Sequence, residues 1–256
     1  IVGNNFYPNL AAVGNNTITY TYTDGNSCTN SSPQVVIIIG LPIVYFTGLA
    51  SPYCEDDATP VVLTGFPSGG IYTGPGTLGN TFTPSLAGSG FHSIKYTYTD
   101  GNGCTNFETQ SVVVKSLPLV TFSGLNAAYC VDAPVAALSG FPGGGAFSGP
   151  GITGNNFTPA TAGVGLHSIT YTFTDSDGCT DDSTKSVTVN GLPVVSFSGL
   201  NIAYCIDAIP ALLSGSPAGG MFSGNGISGN SFYASVADTG THTITYTYID
   251  PTTTCT

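Results

Sequence analysis

The sequence predicts an all-β protein made of tandem β-sandwich repeats of about 75 residues that follow one another end to end. Three observations support this fold class. Motifs recur at a fixed spacing, apolar and polar residues alternate in the candidate strands, and the cysteines follow the same spacing as the motifs. Gly and Pro cluster between the candidate strands, and because both residues interrupt helices, we expect turns there.

The repeat is clearest at the Leu-Pro pairs that open three copies of the unit. A Tyr-Cys pair, a Gly-Asn pair with a following Phe, and an alternating aromatic segment come at matching offsets in each copy. Residues 1–40 match the second half of a unit. We therefore expect the chain to be a segment of a longer protein. Its predicted parts are a half-repeat (1–40), a first repeat (41–116), a second repeat (117–191), and a third repeat that lacks its last strand (192–256).

Alternation predicts the strands within each unit. In the first repeat Ile94, Tyr96 and Tyr98 alternate with polar residues, which is the period of two that a half-buried strand requires. Val112 and Val114 indicate the strand that follows. Six or seven short strands in each unit favour an Ig-like β-sandwich over a propeller, which would need a closed ring of blades.

The seven cysteines follow the same period as the motifs. They form three pairs whose members lie about 50 residues apart, so one bridge in each repeat would close a loop of that length and stabilise it by about 4 kcal/mol. Cys28 is left without a partner in this chain, and we expect its partner upstream of residue 1. The predicted structural disulfide cysteines are Cys54 with Cys104, Cys130 with Cys179, and Cys205 with Cys255.

Sequence does not fix this connectivity, and one alternative follows from geometry. If the Tyr-Cys pair ends the opening strand, its cysteine lies at one end of the sandwich and the cysteine of the last hairpin lies at the other end. The two are then too far apart for a bond. The bridges would then cross to a neighbouring repeat, from Cys54 to Cys179 and from Cys130 to Cys255. Either pairing requires an oxidising compartment, so we expect an extracellular protein.

Charge excludes several classes of partner. Only 7% of the residues are charged, and the net charge is -11, which repels nucleic acid and anionic lipid. The longest apolar stretch runs from Val35 to Phe46, but Gly40 and Pro42 interrupt it, and it is shorter than the roughly 20 residues of a membrane helix. We expect neither nucleic-acid binding nor membrane insertion.

Two motifs have a functional interpretation that competes with a structural one. Asp100 and Asp175 begin loops that resemble the start of a calcium site, but no bidentate Glu follows, so a hairpin turn is favoured and calcium stays the alternative. His92, His167 and His242 occupy one position in three units. A lone His at the start of a strand is typical of a hydrogen-bonding residue, so we predict no catalytic, cofactor or metal site.

The combined motifs resemble a known family. The pattern is Leu-Pro-x-Val-x-Phe-Ser-Gly-Leu, Tyr-Cys, Gly-Gly-x-Phe-Ser-Gly-x-Gly-Ile, Gly-Asn-x-Phe and Tyr-Thr-Tyr-Thr-Asp-x-x-Gly-Cys. It is similar to the Ig-like tandem repeats of very large surface proteins of Bacteroidota, and the similarity spans essentially the whole chain. The resemblance implies export by the type IX secretion system, a place on the outer cell surface, and an adhesive or gliding-motility-associated role.

Three functions are compatible with these features. The leading hypothesis is a structural or adhesive array that forms an extended stalk or filament, whose partners are neighbouring repeats of the same chain, other copies in a fibre, and a surface or glycan. The second is a passive spacer in a secreted multidomain enzyme. The third is a carbohydrate-binding array that uses exposed Tyr and Phe. An enzyme within these residues is not expected, because active sites are rarely copied into every unit of an array.

Overall fold

The computed structural model describes residues 1–256 and consists of strands of two to eleven residues, three one-turn helices and a 3₁₀ turn at Pro8–Leu10. The predicted all-β class is confirmed. The chain divides into two compact units. The first comprises Ile1–Leu117 together with Asp175–Cys179, and the second comprises Pro118–Thr174 together with Thr180–Thr256.

The half-repeat is a single long hairpin. Its strands are β1 (Gly14–Thr23) and β2 (Thr29–Ile38), which pair antiparallel from Gly14 opposite Ile38 to Thr23 opposite Thr29. Tyr20 and Tyr22 are exposed in this hairpin, so its aromatic side chains lie outside any core.

The first repeat contains three sheets. Its elements are β3 (Tyr45–Thr47), β4 (Tyr53–Cys54), β5 (Val61–Val62), β6 (Thr64–Phe66), β7 (Ile71–Thr73), β8 (Thr77–Leu78), β9 (Thr81–Phe82), α1 (Pro84–Ala87), β10 (Gly90–Thr99) and β11 (Thr105–Lys115). A four-stranded sheet has the order β4-β11-β10-β7, in which β10 and β11 form a long antiparallel hairpin and β4 runs parallel to β11. The other sheets are the pair β3-β6 and the triplet β5-β9-β8.

Side chains from all three sheets meet in one core. The alternating residues Ile94 and Tyr96 of β10 and Val112 and Val114 of β11 are buried, as the period of two predicted. The core is completed by one residue before β3, one in β3, one between β5 and β6, and one in β9. These residues are Val44, Phe46, Leu63 and Phe82.

The second repeat copies this arrangement. Its elements are β12 (Thr121–Ser123), β13 (Ala128–Cys130), β14 (Ala136–Ala137), β15 (Ser139–Phe141), β16 (Ala146–Ser148), β17 (Ile152–Thr153), β18 (Asn156–Phe157), α2 (Pro159–Ala162), β19 (Gly165–Thr174) and β20 (Thr180–Asn190). The four-stranded sheet has the order β13-β20-β19-β16, the pair is β12-β15, and the triplet is β14-β18-β17. The core contains Ile169, Tyr171, Val187 and Val189 at the corresponding positions.

The third repeat has a smaller sheet in place of the four-stranded one. Its elements are β21 (Ser196–Ser198), β22 (Ala211–Leu212), β23 (Ser214–Ser216), β24 (Met221–Ser223), β25 (Ile227–Ser228), β26 (Ser231–Phe232), α3 (Ala234–Ala237) and β27 (Thr245–Thr247). Only β24 and β27 pair in the smaller sheet, over three residues each, and no strand occupies the position of β11 or β20.

The three core clusters lie one within each repeat. The division of the chain at residues 40, 116 and 191 and the two-layer sandwich arrangement stay predictions. No helix in the structure has the length and apolar character needed to cross a membrane.

Candidate functional site

Two disulfides each join one repeat to the next. Cys54 bonds to Cys179 and Cys130 bonds to Cys255, each with a Cα–Cα distance of 5.5 Å and a sequence separation of 125 residues. The favoured pairing within each repeat is therefore wrong, and the alternative pairing between repeats is the one that the structure contains.

The geometry of the four-stranded sheet explains this correction. Cys54 ends β4 and lies opposite Lys115, the last residue of β11. Cys104 lies at the other end of β11, just before its first residue, Thr105. A strand of this length spans roughly 35 Å, whereas disulfide-bonded Cα atoms lie about 4.4–6.8 Å apart. A bond between these two cysteines is excluded.

The second repeat places its cysteines in the same way. Cys130 ends β13 opposite Asn190, the last residue of β20, and Cys179 directly precedes β20. Backbone hydrogen bonds flank the parallel pair β13-β20. The Val131 N–H donates to the Asn190 carbonyl at 2.8 Å, and the Thr188 N–H donates to the Ala127 carbonyl at 2.9 Å. The two half-cystines of one repeat thus lie at opposite ends of one strand.

Three cysteines are free thiols in this structure. Cys28 and Cys205 are exposed, and Cys104 is partly buried. Cys104 and Cys205 were predicted to form structural disulfides, but their within-repeat partners, Cys54 and Cys255, are bonded elsewhere. Each free cysteine occupies a repeat position whose counterpart is disulfide-bonded in another repeat.

An aspartate fixes the turn that carries each hairpin cysteine. Oδ1 of Asp100 accepts hydrogen bonds from the N–H groups of Asn102 and Cys104, both at 2.9 Å, and the Asp175 turn repeats this with Asp177 and Cys179. These turns confirm the hairpin interpretation of the loops. No cluster of three or more His, Cys, Asp or Glu side chains able to hold a metal ion is present.

In the longer turn of the third repeat, the aspartate accepts from two consecutive N–H groups and not from the N–H of the cysteine. Oδ1 of Asp250 accepts from the N–H groups of Thr252 at 2.7 Å and Thr253 at 3.1 Å. These backbone hydrogen bonds, chiefly that of Thr252, lower the pKa of Asp250 below its ordinary value because they stabilise the ionised carboxylate.

Polar contacts surround the bond between Cys54 and Cys179 in the first unit. Lys115 Nζ lies 3.0 Å from Asp177 Oδ2, and the Leu117 N–H donates to Glu55 Oε1 at 3.1 Å. The side chains of the ion pair are partly exposed, so we expect it to contribute at most about 1 kcal/mol. The disulfide itself supplies the main constraint.

A tyrosine in the alternating strand holds a loop in every repeat. The Tyr171 hydroxyl donates to the Pro142 carbonyl at 2.6 Å and accepts from the Gly145 N–H at 2.8 Å. Tyr96 and Tyr246 make the same two bonds in the first and third repeats. A side chain at Gly140 would overlap the Tyr171 ring, which explains the glycine there. We call this arrangement the tyrosine lock.

Sequence reasoning missed the tyrosine lock. Alternation predicted Tyr96 as a buried residue of its strand, which it is, but did not predict that its hydroxyl holds a loop. The available signal was the constant distance to the Pro, because Tyr96, Tyr171 and Tyr246 each lie 29 residues after their acceptor.

The repeated histidines are hydrogen-bonding residues, as predicted. The Nε2 atoms of His92, His167 and His242 lie 2.7, 2.8 and 3.0 Å from the backbone carbonyls of Gly88, Gly163 and Asp238. A carbonyl can only accept, so Nε2 carries the proton in each ring. This contact ties the start of the long strand to the turn before it.

One exposed aromatic pair is specific to the first repeat. Tyr45 and Phe66 stack with ring centroids 4.9 Å apart and an interplanar angle of 17°. Their exposures are 50% and 41%. Thr121 and Ser196 occupy the Tyr45 position in the other repeats, so the pair is not a consequence of the common fold.

No family model and no curated protein matches the chain. One similar solved structure is described as a Ca²⁺-stabilized adhesin that helps an Antarctic bacterium reach out and bind ice. It is 15% identical, with a TM-score of 0.32, over 94% of this chain and 72% of that chain. A likeness this small carries no argument about function.

Proposed function

We propose that the chain is a structural and adhesive array displayed outside the cell, in which successive repeats form a covalently connected stalk. The observation that carries the proposal is the pair of disulfides between consecutive repeats, Cys54–Cys179 and Cys130–Cys255. Stable disulfides of this kind belong to an oxidising, extracellular compartment. Cross-links between neighbours hold repeats together, a property that an adhesive stalk needs.

Two further features support this proposal. The three repeats share the tyrosine lock and the histidine contact, and each has its own core cluster, so the same structural unit recurs along the chain. The resemblance to repeats of Bacteroidota surface proteins also favours the outer surface.

Surface display and adhesion can be tested together. An antibody against the purified chain is expected to label intact, unpermeabilised cells. Beads coated with the oxidised chain are expected to stay attached to a surface under flow better than albumin-coated beads. Labelling without adhesion would leave only the spacer function, and labelling that requires permeabilised cells would contradict the proposal.

A second candidate is carbohydrate binding by the first repeat. The stacked, exposed rings of Tyr45 and Phe66 favour it, because aromatic faces offer flat apolar surfaces with a polar hydroxyl at the edge. The second repeat, with Thr121 and Phe141 at these positions, lacks the pair.

A glycan array tests this candidate. We expect the chain to bind a subset of glycans and expect Tyr45→Ala to abolish that binding. Phe141→Ala, which removes the unpaired exposed ring of the second repeat, is the matched control and should bind as well as the unmodified chain. Equal loss in both variants, or no binding across a broad panel, would exclude a platform at Tyr45.

A further inference from the structure

The two disulfides are interlocked in sequence. Cys130 lies inside the loop closed by Cys54 and Cys179, and Cys179 lies inside the loop closed by Cys130 and Cys255. We propose that this pair of disulfides is a covalent bypass that carries tension around most of the polypeptide. Tension along the chain passes through sulfur from Cys54 to Cys179, returns through the second repeat to Cys130 against the chain direction, and leaves through sulfur to Cys255.

The covalent connectivity limits how far the chain can extend. Without disulfides the whole chain of 256 residues can be drawn out. With both bonds, the shortest covalent path between the ends contains roughly 100 residues, so the contour length falls from roughly 900 Å to roughly 350 Å at about 3.5 Å per residue. The loops on either side of this path stay slack even when every repeat has unfolded.

Within the folded second repeat, the load falls on one parallel strand pair. Cys179 directly precedes β20, and Cys130 is the last residue of β13, which runs parallel to β20. Tension therefore pulls the beginning of β20 and the end of β13 in opposite directions along the strands. This geometry shears the pair, so its hydrogen bonds break together and not one after another.

Side chains also oppose sliding of β13 along β20. The Tyr129 ring packs on Phe157 with centroids 5.4 Å apart, and Val189, which lies opposite Tyr129, is buried in the core. Sliding β13 along β20 would expose both apolar contacts. The second repeat is thus placed as the folded element that carries force between the two disulfides.

Single-molecule stretching of the 256-residue chain, held at its two ends, tests the bypass. We expect the fully extended contour to be about 2.5 times longer in dithiothreitol than under oxidising conditions. Cys130→Ser opens one of the two loops and leaves a path of roughly 130 residues, so its oxidised contour should be about 1.3 times that of the unmodified chain.

Cys205→Ser is the matched control that separates the two disulfide arrangements. Cys205 is a free thiol, so its removal should leave the oxidised contour unchanged. Bridges within each repeat would instead make Cys205→Ser lengthen the contour about 1.5-fold. That result, or equal contours for Cys130→Ser and the unmodified chain, would overturn the proposal.

A proline variant tests the shear arrangement. Val131→Pro removes the N–H that donates to Asn190, while Val131→Ala trims the same side chain and keeps the donor. We expect the second repeat to unfold about five- to tenfold faster under load in the proline variant than in the alanine variant, with the same contour. Equal rates would exclude β13-β20 as the loaded pair. The contour measurement remains decisive if the proline variant fails to fold.

Discussion

The first and third repeats share their motifs but differ in the strand that closes the core. In the first repeat β11 contributes Val112 and Val114 to the core, whereas the third repeat has no strand at that position. Phe46 is consequently 2% exposed, while its counterpart Phe197 is 36% exposed. The same sequence motif thus gives a closed core or an open one according to whether a neighbouring strand covers it.

The largest expected effect on stability comes from replacing one of these two phenylalanines. Phe46→Ala should destabilise the first repeat by about 3–5 kcal/mol, because it leaves a cavity in a closed core. Phe197→Ala should cost about 1 kcal/mol or less, because its ring already contacts solvent. Native-state hydrogen exchange of the strands in each repeat measures both changes.

Hydrogen exchange is the suitable measurement because two compact units need not unfold together. Amides of β10 and β11 report on the Phe46 variant, and amides of β24 and β27 report on the Phe197 variant. Equal loss of protection in the two repeats would show that the missing strand does not decide the stability of the core.

The tyrosine lock distinguishes the second repeat from the half-repeat. Tyr171→Phe leaves the Pro142 carbonyl and the Gly145 N–H without their partner, and we expect a cost of about 1–3 kcal/mol. Tyr20 occupies the equivalent position in the half-repeat but is 71% exposed. Tyr20→Phe should therefore change the unfolding free energy by less than about 0.5 kcal/mol, as measured by denaturant titration of each variant.

A third prediction concerns a polar atom that only the first repeat buries. The Tyr72 hydroxyl has no hydrogen-bond partner, and Phe147 and Phe222 occupy its position in the other repeats. Tyr72→Phe should leave the first repeat equally stable or more stable by about 1 kcal/mol, because no hydrogen bond is lost. The reciprocal Phe147→Tyr should destabilise the second repeat, and its failure to do so would mean that this site admits water.

We expect the same tyrosine to make the first repeat sensitive to alkali. Burial, with a smaller contribution from the nearby Tyr96, raises the pKa of Tyr72. The folded state thus favours the neutral phenol, and its contribution is complete below the unfolded pKa of about 10 and is lost as pH rises through the higher folded pKa. We expect Tyr72→Phe to reduce the alkaline destabilisation, measured as hydrogen-exchange protection of β10 against pH.

The sequence predicted features that depend on neighbouring residues better than contacts between residues far apart in the chain. Alternation identified β10 and β11 and their buried residues, because side-chain direction in a strand follows from local spacing. The contact between Tyr171 and Pro142 joins residues 29 positions apart, and the partner of Cys54 depends on the end of the sheet that each cysteine reaches. The partner of Cys54 is set by the parallel placement of β4 beside β11, which the alternation within a strand does not encode.

The smallest expected effect is that of calcium on the melting temperature, and it concerns the turns of the first and third repeats. Asp100 and Asp250 both use Oδ1 to hold backbone N–H groups, although the second turn is one residue longer. An oxygen engaged in this way has less capacity left for a cation. Millimolar calcium followed by chelator should therefore leave the melting temperature of the oxidised chain unchanged.

Substitution of the aspartates separates turn formation from metal binding. Asp100→Asn keeps an Oδ1 acceptor for the Asn102 and Cys104 N–H groups, whereas Asp100→Ala removes it and should cost about 1 kcal/mol, similar to the loss of a helix cap. If Asp100 acts only in the turn, Asp100→Asn should retain most of the stability of the chain with or without calcium. A calcium ligand predicts that asparagine and alanine lose the same calcium-dependent increment, and only that second pattern would restore the metal site.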